Sequence, residues 1–87
     1  MDNLIPLSNI PNGGHAVVHR LDVSGSIRRR LLDIGLTPET HVECVGRSPS
    51  GDPRAYLIRG AVIAIRNKDS GKIWVSQATD VNSNGSD

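Results

Sequence analysis

Phenylalanine is absent, and Trp74 and Tyr56 are all the aromatic side chains that this chain of 87 residues has. Its core must therefore come from Val, Ile, Leu and Ala; it will be thin, and stability correspondingly modest. Cysteine is nearly absent as well. Cys44 alone excludes an internal disulfide framework and a multi-cysteine zinc site, fits a reducing compartment, and is expected to pack as a small apolar residue. There is no excess of charge: ten Lys and Arg against nine Asp and Glu leave a net +1, too balanced for sequence-independent phosphate binding, so no nucleic-acid partner is expected. Long apolar runs are missing too. The longest, Ala61 to Ile65, has five residues where a spanning helix needs about 20, so no direct membrane insertion is expected. The N-terminus lacks a basic stretch followed by an apolar one, which points to a cytoplasmic location.

What remains is punctuation and alternation. Gly and Pro recur at short intervals, and the segments between them alternate apolar and polar residues as half-buried strands do. Five strands are expected: 16–21, with Ala16, Val18 and Arg20 on one face; 41–45; 54–58 and 61–66, joined by the tight turn Arg59-Gly60; and 72–76. The class is a small all-β domain, a five-stranded barrel that limits exposed edges. One segment departs from period two. Ile27, Leu31 and Ile34, with Leu32 beside them, repeat at helical spacing and predict a short inserted helix over 26–34. Ser26 is its expected N-cap, Gly35 its left-handed terminator and Leu36 the residue that packs back on Leu31. The domain is expected to span 1–78, with 79–87 a flexible polar tail.

Few residues suggest chemistry. Arg28, Arg29 and Arg30 are expected to open the helix, the end that disfavours cations, so helix stability does not account for them. They are either a solvated polar face or contacts for an anionic protein surface or phosphate. His15 and His19, four apart on a strand, lie about 13 Å from each other and cannot share an ion. His41 and Cys44 have opposite parity, and without three or four converging ligands no metal site within one chain is expected, although an ion held between chains stays open. No P-loop, nucleophile elbow or zinc-protease helix is present, and Asp33 and Asp52 stand alone. Neither a catalytic site nor a cofactor is expected.

The run Arg28-Arg29-Arg30-Leu31-Leu32-Asp33-Ile34-Gly35-Leu36-Thr37-Pro38, then Gly51-Asp52-Pro53, then Ile58-Arg59-Gly60 with Ile63-Ala64-Ile65-Arg66, resembles the FeoA family of ferrous iron transport proteins over about residues 4–76. Glu39 stands where members often carry Gly, and Ala61 where they often carry a larger residue. The resemblance implies an SH3-like barrel, like those at the C-terminus of DtxR-type repressors. It implies a cytoplasmic accessory of FeoB, the membrane iron transporter with a GTPase domain, that regulates it by contact. Arg28, Arg29, Arg30, Asp33, Gly51, Asp52 and Pro53 are then the expected partner-binding residues. The alternatives are an SH3-like nucleic-acid-binding module and a regulator that binds a transition metal directly.

Overall fold

In the computed structural model, which describes residues 3–47 and 49–78, one antiparallel sheet wraps a single core. Six strands form it: β1 (Leu4–Pro6), β2 (His15–Leu21), β3 (His41–Arg47), β4 (Arg54–Ile58), β5 (Ala61–Ile65) and β6 (Ile73–Ala78), in the order β1-β6-β2-β3-β4-β5. The expected all-β class holds, with one strand more than expected. Three residues ending in a proline carry no alternation to read, and β1 exists because it pairs with β6 at the sheet edge, where proline is tolerated. A 3-10 turn, Leu7–Asn9, follows it and buries Leu7. The expected tail, 79–87, lies outside the described residues.

The core is aliphatic apart from Tyr56 and Cys44, as a chain without phenylalanine requires. Strand parity fails at one place. Between Val18 and Arg20 the pairing of β2 with β6 shifts register, so Ala16, Val18 and Leu21 all face inward while Arg20 stays exposed. A bulge there inserts one residue and inverts the alternation. A second shift lies between Cys44 and Gly46 on β3, where Val45 is exposed as plain alternation from Val42 and Cys44 requires. The β4–β5 hairpin pairs Ile58 with Ala61, and Arg59 and Gly60 both have positive φ, the two-residue turn that twists with its strands.

Helix α1 runs Gly25–Asp33. Its start corrects the expected cap: Ser24, not Ser26, precedes the helix and makes no side-chain capping bond, because Gly25, at φ +68°, turns the chain in earlier. Its end is as expected. Gly35 has φ +97°, the Leu36 N–H donates to Leu31 O at 2.9 Å and the Gly35 N–H to Leu32 O at 3.0 Å, so both leucines return to the core. A nine-residue helix is marginal alone; burying Leu31 contributes roughly 1.5–3 kcal/mol that isolated helix formation lacks. A single turn, α2 (Asn67–Ser70), separates β5 from β6.

Candidate docking surface

The longer helix changes where its arginines sit. They occupy its middle, and Arg30 falls in the last turn, where a cation complements the macrodipole. The expectation that they open the helix is therefore corrected, and with it the argument from unfavourable placement. What singles them out is exposure without engagement: among the described residues, none of the three guanidinium groups makes a hydrogen bond or an ion pair, and all three are exposed.

They do not form one patch with the other expected contacts. Arg30 lines a groove of about 370 Å³ between α1 and β5, with Ile27, Pro53, Ile63, Arg66 and Asp69. Arg28, Arg29 and Asp33 lie on the outer flank of α1, around a shallower concavity with Gly25 and Leu32. Gly51 and Asp52 are engaged within the molecule. The Asp52 Oδ1 accepts the Asn67 N–H at 2.9 Å, and the Asn67 side chain donates to Gly51 O at 3.1 Å, which ties the turn to the start of α2. This ties Pro53, after a cis peptide, to the groove wall. The groove thus mixes apolar side chains with two cations, Arg30 and Arg66, and one carboxylate, Asp69, and on the edge strand β5 Val62 is 63% exposed.

Two arginines outside the expected set matter structurally. Arg59 reaches back over α1, its Nε donating to Gly35 O at 2.9 Å and its Nη2 to Thr40 Oγ1 at 3.3 Å, a cation at the helix C-terminus. Arg54 is buried and donates to the carbonyls of Ser8 and Ile10 and to Cys44 Sγ at 3.1 Å. Its parity in β4 puts it on the buried face with Tyr56 and Ile58, but the carbonyls that hold it are more than forty residues away and have no local signature.

The FeoA domain family matches residues 5–77. The chain belongs to the FeoA family. A curated relative, an Fe(2+) transport protein A/Fe(2+) transporter FeoB fusion protein of Porphyromonas gingivalis, is 32% identical over 69 residues, covering 79% of this chain and 8% of that protein's length. The solved iron(II) transport protein A of Clostridium thermocellum is 32% identical with a TM-score of 0.78, covering 84% of this chain and 45% of that one. The FeoA of Stenotrophomonas maltophilia, solved with zinc and described as a procaryotic SH3 domain protein, is 28% identical with a TM-score of 0.71, covering 83% and 93%. This FeoA-family chain accordingly has the SH3-like fold and a link to ferrous iron transport. No helix among its described residues is long and apolar enough to cross a membrane.

Proposed function

We propose that this chain is a cytoplasmic contact module of bacterial ferrous iron uptake that binds the cytoplasmic part of a FeoB-type transporter and regulates it. The observation that carries this reading is the relative in which transport protein A and FeoB are one polypeptide, since fusion holds together parts that work in contact. The free guanidinium groups on α1 and the groove beside β5 that Arg30 and Arg66 line supply the surface. Arginine suits such a role, because its planar fork binds carboxylates bidentately and stays charged. The chain acts by contact and turns over no substrate of its own.

The test is GTP turnover by full-length FeoB in the presence and absence of this protein, run alongside a direct binding measurement. Binding with an altered rate supports docking and regulation together. Binding at an unchanged rate removes regulation through the GTPase and keeps docking, whereas no association removes the reading.

A further inference from the structure

The outer face of the β2–β3 ladder holds a cluster that the docking surface does not use. His15 stands opposite Glu43 and Val17 opposite His41, so the two histidines are diagonal neighbours across the strands. Burial of Ala16 and Val42 fixes the parity and sends His15, His41 and Glu43 outward together. The two imidazole rings lie 5.1 Å apart, centroid to centroid, at 24°, and His15 Nδ1 is 3.2 Å from His41 Nε2. A hydrogen bond satisfies these nitrogens only if one carries the proton; a cation between them uses both lone pairs. Two imidazole nitrogens bound to one ion at about 2.0–2.1 Å and at the tetrahedral angle stand about 3.3–3.4 Å apart, close to the 3.2 Å found.

We propose that His15 and His41 chelate a divalent first-row transition-metal cation, with Glu43 turning in as a third ligand and water completing the shell. Imidazole with one carboxylate suits such ions better than Mg²⁺ or Ca²⁺, which take oxygen ligands. As the side chains stand, no three His, Cys, Asp or Glu groups converge among the described residues, so the pair is the preformed part and Glu43 the adaptable one. His19 shares the same face but is engaged elsewhere, its Nε2 lying 3.1 Å from Ser76 Oγ. Strand parity within one segment cannot reveal the site, because its two anchors are 26 residues apart on different strands.

The experiment titrates the untagged full chain, stripped of metal with a chelator, with Zn²⁺ by calorimetry and with Co²⁺ by visible absorption. It is run at about pH 7.5, above the ordinary histidine pKa of about 6.5. The expected result is saturable uptake of one ion per chain, weakened roughly tenfold or more in both His15→Ala and His41→Ala, and less in Glu43→Gln. His19→Ala keeps the affinity of the parent chain, and circular dichroism checks that each variant is folded. No saturable uptake, or uptake that both histidine variants leave unchanged, overturns the proposal. Because no partner is present in the cell, either result leaves the docking reading where it stood.

Discussion

Arg54 carries its charge to 7% exposure and meets main-chain carbonyls and a thiol rather than a carboxylate. Its guanidinium ties the segment after β1 to β4, so its loss leaves two carbonyls without a donor and a gap beside Tyr56. Arg54→Ala should lower stability by about 2–4 kcal/mol, read from urea unfolding, and Arg54→Lys should recover only part of this because one ammonium cannot span the same acceptors. Asp22 is a different case. The hydrogen bond from Arg20 lowers its carboxyl pKa first, against a desolvation penalty, and the Trp74 indole, at 2.8 Å, adds to the lowering. A carboxylate with a depressed folded pKa adds stability above its unfolded value near 3.8, and that stability is lost as pH falls through the folded value. Denaturation midpoints at neutral and strongly acid pH should therefore differ less in Asp22→Asn than in the parent chain. Burial raises the Tyr56 hydroxyl above its ordinary 10.0, which makes the folded state lose stability as pH climbs beyond that value, a slope that Tyr56→Phe should remove.

At the scale of elements, ends written in local chemistry were legible and ends set by distant partners were not. Gly35, Leu36 and Pro38 announced where α1 stops. A Cβ at Gly35 would lie 2.5 Å from Arg59 Cδ, in a backbone conformation that L residues avoid. Gly35→Ala should accordingly destabilise by roughly 1–3 kcal/mol, seen as a lower thermal midpoint. The bulges in β2 and β3 left no trace in the pattern, since they answer to register with β6 and β4, whereas Arg54 shares the parity of the buried Tyr56 and Ile58 and only its distant acceptors were hidden. Glu39 was marked only by standing where relatives often have Gly. Its φ of +74° gives the reason, because the turn into β3 takes a left-handed residue. Glu39→Gly should be neutral or stabilise by up to about 1 kcal/mol, the relieved strain exceeding the added unfolded-state freedom, and the same thermal melts would show a loss instead if that turn were relaxed in the parent.

For the whole molecule, the sheet order decides which sequence features become neighbours. It brings Arg30 and Pro53 to one groove, places Arg28, Arg29 and Asp33 on another flank, ties Gly51 and Asp52 to the start of α2, and pairs two histidines that no single strand contains. The expected contact residues could be named from the sequence, but their distribution over separate surfaces could not, because it follows from the sheet order. Its central element survives the rearrangement, because the α1 arginines face solvent with their charges unspent. The most direct measurement is the affinity of this chain and of its Arg28→Ala/Arg29→Ala/Arg30→Ala variant for the cytoplasmic part of FeoB at low and physiological salt. An arginine-borne contact predicts parent binding that weakens with salt, and a variant that binds roughly tenfold or more weakly with a shallower salt dependence. Equal affinities and equal salt slopes, with both chains folded, would contradict the account.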